Sequence, residues 1–156
     1  MIDTSTIPGS GSELRALEVE TTVLAEPLEV WRAWTSKEDL QKWWPVPDAN
    51  IELRIGGPFE LMMTTDLPAG LRGSEGCKIL SYVPGELLSF TWNAPPTLPL
   101  RSSNTWVAIT FRPADEGTRV RLVHTGFLTG TDWDDYLAYF AEAWSYVLDL
   151  LSNHWA

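Results

Sequence analysis

The sequence predicts an α+β fold in which an antiparallel sheet of about seven strands curves around a long C-terminal helix. Three observations predict this class. Segments with alternating apolar and polar residues recur along the chain, and Gly- and Pro-containing turns separate them. Two short amphipathic segments follow the first of these strands. An amphipathic segment of about 22 residues, and so about 33 Å long as a helix, ends the chain and requires a broad sheet to cover its apolar side.

Composition and charge narrow the class of function. A chain of 156 residues with a net charge of −10 predicts one acidic globular domain. Binding of nucleic acid or of an anionic membrane surface requires clustered Lys and Arg. The acidic net charge of this chain therefore argues against both kinds of binding. The sequence contains no apolar run of about 18 residues, so we expect no membrane span. The N-terminus lacks the basic start and the apolar stretch of a secretory signal, which predicts a cytoplasmic protein.

Cysteine and histidine are scarce. Cys77 is the single cysteine, so no intrachain disulfide can form, and His124 and His154 are the two histidines. Few ligands are therefore available for zinc, and we expect neither a metal nor a cofactor. A buried inert thiol is the simplest interpretation of Cys77.

The N-terminal part divides into a tail and a first strand. Residues 1–13 are rich in Gly, Ser, Thr and Pro, which predicts a flexible tail before a domain spanning residues 14–156. The stretch LRALEVETTVLA then alternates apolar and polar residues, as a half-buried strand does.

Two short helices are predicted after this strand. Pro27 fits the first helical position, and Leu28, Trp31 and Trp34 recur at a spacing of three on one face. We expect Trp31 and Trp34 to anchor this helix on the sheet.

The second short helix begins where Ser36 can act as its N-cap. Trp43 and Trp44 lie near its end, and Pro45 terminates it. At least one of these two tryptophans is expected to be partly exposed, because an exposed indole suits contact with a ligand or a partner.

The alternating segments in the middle of the chain predict six strands. The first of them is IELRI, with Leu53 predicted to point inward, and Gly56-Gly57 indicates a hairpin turn to FELMM. The segments GCKILSYV, ELLSFTW, TWVAITFR and RVRLVHTGF follow. Three prolines exclude NAPPTLPLRSSN from a strand, which predicts an exposed loop.

The C-terminal segment is the clearest helix. Thr131 is predicted as its N-cap, and Asp132, Asp134 and Asp135 would complement the dipole of its first turn rather than bind metal. Its apolar residues recur at spacings of three and four; they are Trp133, Tyr136, Leu137, Phe140, Trp144, Val147, Leu148 and Leu151.

Several phrases and their order resemble the START-like, or Bet v 1-like (SRPBCC), superfamily. Within it, the chain is similar to bacterial proteins related to the C-terminal domain of the activator of Hsp90 ATPase. The matching phrases are VWRAWTSKEDLQKWW, GGPFELM, PGELLSFTW and GTRVRLVHTGF, followed by the long helix with Trp144. The resemblance covers roughly residues 15–155 and implies a helix-grip fold with a cavity between the sheet and the C-terminal helix.

The resemblance also carries expectations about function. Members of the superfamily bind lipids, sterols, polyketides or other apolar molecules, and some catalyse cyclisation or dehydration. Two departures stand out: Ala143 precedes the helix tryptophan where the family often has Gly, and only the 13-residue tail precedes the fold. The chaperone activator has a separate N-terminal domain there, which argues against Hsp90 activation.

The charged residues of each strand assign its faces. Arg119 and Arg121 point to water, so Leu122 and His124 point inward. The same argument identifies the inward residues of the other strands and of the long helix. The cavity that the family resemblance implies lies between these elements, so their inward residues form a candidate ligand-binding set. The set is Trp44, Phe59, Leu61, Met63, Phe90, Trp92, Val107, His124, Tyr136, Phe140 and Trp144. The sequence assigns no catalytic residue.

An ordinary filled core would use the same aromatic residues, and sequence cannot separate a filled core from a lined cavity. His124 and Tyr136 are the polar groups expected on a pocket wall. For His124 alone, a buried neutral ring satisfied by hydrogen bonds is the simpler interpretation, because no acid is predicted beside it.

Three functions stay open at this point. The first is binding of a small hydrophobic or aromatic molecule in an internal cavity, without catalysis. The second is an enzyme of the polyketide cyclase or aromatase type that uses His124 or Tyr136 as acid or base. The third is an interaction protein, of the chaperone-associated stress-response kind, that uses the Trp43–Trp44 edge on a partner or on itself as a homodimer.

Overall fold

The computed structural model describes residues 2–6 and 14–156 of the chain. The elements of this part follow one another as β1 (Ile2–Thr6), β2 (Arg15–Val23), α1 (Pro27–Thr35), α2 (Lys37–Leu40), β3 (Asp48–Ile51), β4 (Phe59–Met62), β5 (Ile79–Val83), β6 (Leu87–Trp92), β7 (Thr105–Ala114), β8 (Gly117–Phe127) and α3 (Thr131–His154).

The strands form one large antiparallel sheet with a hairpin attached. The order in the large sheet is β1-β2-β8-β7-β6-β5, and β3 pairs separately with β4. Isolated bridges join β4 and its preceding residue to the chain before β5, at Pro58–Lys78 and Met62–Gly73. The predicted α+β class, with an antiparallel sheet and a long C-terminal helix, is confirmed.

Strand β1 lies within the stretch that the sequence predicts as a tail. It pairs antiparallel with β2, from Ile2 opposite Val19 to Thr6 opposite Arg15. The sequence IDTST has one large apolar residue and no alternation, so its pattern gives no strand signal. The rest of the predicted tail, residues 1 and 7–13, lies outside the described residues.

The two short helices begin where the sequence predicts. Pro27 occupies the first turn of α1, and Ser36 Oγ accepts a hydrogen bond from Asp39 N at 3.4 Å as the N-cap of α2. Trp31 and Trp34 are buried against the sheet as expected. Leu28 is 41% exposed and does not share their buried face.

The prediction that Trp43 or Trp44 is partly exposed is wrong. Their exposed fractions are 5% and 7%, and Trp43 Nε1 donates to Ala33 O at 2.9 Å. The ring of Trp44 lies 6.0 Å from those of both Trp34 and Trp144. The indole-rich segment is therefore an internal aromatic cluster that ties α1 to α3.

The strand predicted over residues 51–55 lies earlier in the chain. Strand β3 ends at Ile51, and residues 52–57 form a tight turn in which Gly57 N donates to Arg54 O at 2.9 Å. Leu53 is consequently 40% exposed rather than inward. A Cβ on Gly57 would lie 2.2 Å from Glu52 O, so this compact turn requires glycine there.

The core lies between the large sheet and the helices. The inward assignments of β6, β7 and β8 are confirmed, because their residues are nearly or completely buried; these are Leu88, Phe90, Trp92, Val107, Ile109, Phe111, Val120, Leu122 and His124. On the opposite face, Arg119 pairs with Glu20 at 2.9 Å and Arg121 with Glu18 at 2.5 Å.

Helix α3 covers the inner face of the sheet over 24 residues. Its buried residues are Tyr136, Phe140, Trp144, Val147, Leu148 and Leu151, on the predicted face. Gly130, with φ 126°, is its N-cap, so the predicted cap Thr131 is instead the first helical residue. Within the described residues, no helix has both the length and the apolar character that a bilayer crossing requires.

Candidate functional site

A cleft of about 340 Å³ opens between α3 and two loops, residues 63–74 and 92–101. This volume is at the lower end of the range for small-molecule sites. The walls are formed by Trp44, Met63, Thr64, Leu67, Leu71, Arg72, Gly73, Ser74, Trp92, Asn93, Ala94, Pro95, Pro96, Arg101, Tyr139, Phe140, Ala143, Trp144, Tyr146 and Val147.

Four aromatic side chains form the floor of the cleft. Trp144 is at the centre, with ring centroids 5.3 Å from Trp92, 6.0 Å from Trp44 and 6.1 Å from Phe140. Each is at most 7% exposed, so only narrow parts of the rings face the opening. Their mutual packing fixes their orientation and gives the cleft a rigid apolar floor.

Apolar side chains also form the rim. Met63, Leu67, Leu71 and Tyr139 are 40–44% exposed, and Tyr146 on α3 is 60% exposed. Five large, mostly apolar residues that line one opening are therefore each at least 40% exposed, and exposed apolar surface of this kind is typical of an interaction site.

Arg101 holds the two loops of the cleft together. Its Nη1 donates to Ala94 O at 2.6 Å, and its Nη2 donates to Gly70 O at 2.7 Å and to Gly73 O at 2.9 Å. The planar guanidinium presents several donors in fixed directions, so one side chain can bind carbonyls from both loops. Asn93 Nδ2 adds a further bond to Gly73 O at 3.2 Å.

Glu75 organises the first loop from its other side. Its carboxylate accepts hydrogen bonds from the backbone N–H groups of Gly70, Arg72 (2.6 Å) and Gly73 (2.9 Å). Burial raises the pKa of Glu75, but these three bonds and the nearby Arg101 outweigh it, so the net pKa is lowered. The ionised carboxylate thus fixes the backbone of residues 70–73.

A separate polar network lies in the core behind the floor. Trp144 Nε1 donates to His124 Nδ1 at 3.0 Å, and His124 Nε2 lies 2.6 Å from Thr105 Oγ1. Tyr136 Oη is 3.2 Å from the same Thr105 hydroxyl. His124, Thr105 and Tyr136 are all fully buried, and none of them lines the cleft.

Burial keeps these groups neutral. It lowers the pKa of His124 to about 3 and raises that of Tyr136 to about 12. Burial likewise raises the pKa of the Cys77 thiol to about 11, so this cysteine stays protonated at neutral pH. In the described residues, no three His, Cys, Asp or Glu side chains come together as a metal site would require.

The structure brings five of the eleven predicted ligand-binding residues to the cleft: Trp44, Met63, Trp92, Phe140 and Trp144. The other six pack beneath it in the core; they are Phe59, Leu61, Phe90, Val107, His124 and Tyr136. Sequence reasoning missed the loop residues, Arg101 and Glu75 above all. Their roles depend on contacts with backbone atoms, which leave no pattern in the sequence.

The comparisons with known proteins agree with this architecture. The sequence model of the activator of Hsp90 ATPase homolog 1-like proteins matches residues 24–155. Protein MLL2253 from Mesorhizobium loti is a similar solved structure, with a TM-score of 0.70 and 22% identity over 90% of this chain and 96% of that one. CalU16 from Micromonospora echinospora has a TM-score of 0.70 and 23% identity, over 100% of this chain and 84% of that one.

A third similar structure is the Aha1 dimer from Colwellia psychrerythraea, with a TM-score of 0.66 and 17% identity over 90% of this chain and 95% of that one. A search of curated proteins finds no match to the sequence. At these identities the solved structures establish the START-like fold, and the match to the family model covers most of the chain. The chain therefore belongs to the family of activator of Hsp90 ATPase homolog 1-like proteins.

Proposed function

We propose that this protein binds a small hydrophobic or aromatic molecule in the cleft between α3 and the loops of residues 63–74 and 92–101. One observation carries the proposal: a solvent-connected cleft of about 340 Å³ lies over a packed floor of Trp44, Trp92, Phe140 and Trp144. A mostly apolar cleft of this size, open to solvent, is typical of a small-molecule site.

Apolar contact would supply most of the affinity. A two-ring aromatic molecule that buries roughly 200 Å² of its own apolar surface gains about 5 kcal/mol at 25 cal/mol per Å². The floor rings are already held by one another, so little side-chain entropy is lost on binding. A gain of about 5 kcal/mol corresponds to a dissociation constant of about 0.2 mM, so we expect simple aromatic probes to bind in the sub-millimolar range.

The test uses N-phenyl-1-naphthylamine, a neutral fluorescent molecule, and the intrinsic fluorescence of the tryptophans. Ala143 lines the cleft, and Ala143→Phe places a ring inside it. Ala138 is exposed and is not among the lining residues, so Ala138→Phe adds the same ring to the same helix outside the cleft. Energy transfer from tryptophan to the probe reports binding to the protein, and the comparison of the two variants reports whether the probe lies in the cleft.

We expect the unmodified protein and Ala138→Phe to bind the probe equally and Ala143→Phe to bind at least about tenfold more weakly. Circular dichroism of both variants checks that they fold alike. Absence of probe binding, or binding that Ala143→Phe leaves unchanged, would contradict the proposal.

The enzyme alternative has no supporting observation at the cleft. An acid or base must reach the substrate directly or through one water, whereas His124 and Tyr136 are fully buried beneath the floor. The homodimer, the cytoplasmic location and the absence of Hsp90 activation stay predictions from the sequence.

A further inference from the structure

The charge of the cleft wall differs in sign from the charge of the protein. The chain has 21 acidic and 11 basic residues. The cleft wall nevertheless includes two arginines, Arg72 and Arg101, and no Asp or Glu among its described lining residues. Arg101 is paired with the Glu75 carboxylate, so Arg72 is the cation of this wall that favours a ligand carrying negative charge.

The two arginines differ in what they already bind. Arg101 donates to three backbone carbonyls of the loops, and its Nη2 lies 3.7 Å from a Glu75 oxygen. Its charge is therefore paired with Glu75, and its donors are engaged by the loop carbonyls. Its side chain is only 16% exposed. Arg101 is therefore a positioning residue that shapes the cleft.

Arg72 is held in place but keeps free donors. Its backbone N–H donates to Glu75 Oε1 at 2.6 Å, and its Nε donates to Leu67 O at 2.6 Å. Within the part of the chain that the structure describes, neither Nη atom of Arg72 has a hydrogen-bond acceptor. The residue is half-buried and lines the cleft, so its guanidinium is available to a ligand bound there.

From this arrangement we infer that the ligand is an aromatic molecule with one anionic group, such as a carboxylate or sulfonate, which binds to the Nη atoms of Arg72. The aromatic part lies over Trp44, Trp92 and Trp144. A planar guanidinium with two free donors matches an oxyanion in a bidentate geometry, which is stronger than a neutral hydrogen bond. The inference rests on the proposed function and names the ligand class for the same cleft.

The experiment compares two probes with the same aromatic skeleton. N-phenyl-1-naphthylamine is neutral, and 8-anilino-1-naphthalenesulfonate adds one sulfonate to it. The variant is Arg72→Gln, which removes the charge and retains a polar side chain. The control is Arg119→Gln, because Arg119 lies on the outer face of the sheet, where it pairs with Glu20 at 2.9 Å. The six titrations, of two probes on three proteins, are made at one ionic strength, and a separate salt series follows for the sulfonate probe.

We expect Arg72→Gln to weaken binding of the sulfonate probe about fivefold, because the site is half-buried and the bond is charge-assisted. Binding of the neutral probe should change less than about twofold, and Arg119→Gln should affect neither probe at that level. Added salt should weaken sulfonate binding to the unmodified protein more than to Arg72→Gln.

The possible failures are distinguishable. If both probes bind and Arg72→Gln changes the two affinities equally or not at all, the anionic ligand class is wrong and the hydrophobic site stands. If the unmodified protein binds neither probe, both the site and the ligand class are wrong.

Discussion

The indole Nε1–H of Trp144 donates a hydrogen bond to Nδ1 of His124 at 3.0 Å. An indole N–H can only donate, so Nδ1 is the acceptor, and the neutral imidazole has its proton on Nε2. That Nε2–H then donates to Thr105 Oγ1, 2.6 Å away. Residues of α3 and β7 thus fix His124 in one tautomer from both sides.

This arrangement predicts a pH-dependent stability. Burial lowers the pKa of His124 from 6.5 to about 3, so between these values the unfolded chain binds the proton and the folded chain does not. The stabilisation is therefore complete above pH 6.5 and is lost as the pH falls towards 3. From pH 7 to pH 5 we expect this one residue to reduce the free energy of unfolding by about 2 kcal/mol.

His124→Gln is the matched variant, because glutamine offers an acceptor to Trp144 and a donor to Thr105 but does not titrate. Urea denaturation at pH 7 and pH 5 measures the free energy of unfolding of both proteins. We expect the difference between the two pH values to be about 2 kcal/mol smaller in the variant. Equal differences in the two proteins would show that His124 titrates normally in the folded state.

The Thr105 hydroxyl is predicted to join His124 and Tyr136 into one energetic unit. Thr105→Val leaves both partners buried with an unsatisfied polar group, which we expect to cost about 2 kcal/mol. In Tyr136→Phe the phenolic group is gone, so Thr105→Val made in that background should cost about 1 kcal/mol less. A double-mutant cycle by chemical denaturation gives the coupling energy, and additive effects would argue against the network.

The regular elements of the fold could be predicted because their own residues encode them. Arg119 and Arg121 alternate with Val120 and Leu122, so charge alone assigns the faces of β8. The apolar face of α3 follows from its period in the same way. Trp144 follows from that period as an inward residue of α3, and the structure places it at the centre of the cleft floor.

The features that the sequence pattern does not predict, the tryptophan cluster and the cleft, depend on contacts between residues far apart in the chain. Trp44 is buried because it packs on Trp144, about a hundred residues later in the chain, and no local pattern predicts that partner. The two loops that border the cleft are joined by Arg101, which binds Gly70 O across 31 residues. Side-chain bonds to backbone carbonyls of loops are independent of the sequence of the acceptor, so spacing could not reveal Arg101 as part of the site.

Arg101→Lys is expected to loosen the cleft while the sheet stays intact. A lysine ammonium cannot reproduce a planar fork that contacts three carbonyls, so Ala94 O, Gly70 O and Gly73 O lose their shared donor. We expect a loss of about 1–2 kcal/mol in the free energy of unfolding. Hydrogen exchange should accelerate at the amides of residues 70–73 and remain unchanged in β8.

Arg112→Lys is the control, because Arg112 is exposed on β7. It should alter neither stability nor exchange. Unchanged protection of residues 70–73 in Arg101→Lys would mean that the bonds from Glu75 and Asn93 hold the loop without Arg101.

The tryptophan cluster offers a comparison of two similar substitutions with opposite hydrogen-bond consequences. Trp43 Nε1 donates to Ala33 O at 2.9 Å, whereas Trp34 Nε1 is buried and has no hydrogen-bond partner among the described residues.

Replacing either tryptophan with phenylalanine removes a similar volume from the same cluster. Trp43→Phe also loses a hydrogen bond, while Trp34→Phe removes an unsatisfied N–H group. Because the two hydrogen-bond effects have opposite sign, we expect Trp43→Phe to destabilise the protein by about 2 kcal/mol more than Trp34→Phe. Chemical denaturation of both variants measures this difference, and an equal or larger cost for Trp34→Phe would mean that an acceptor, such as an enclosed water, satisfies Trp34 in solution.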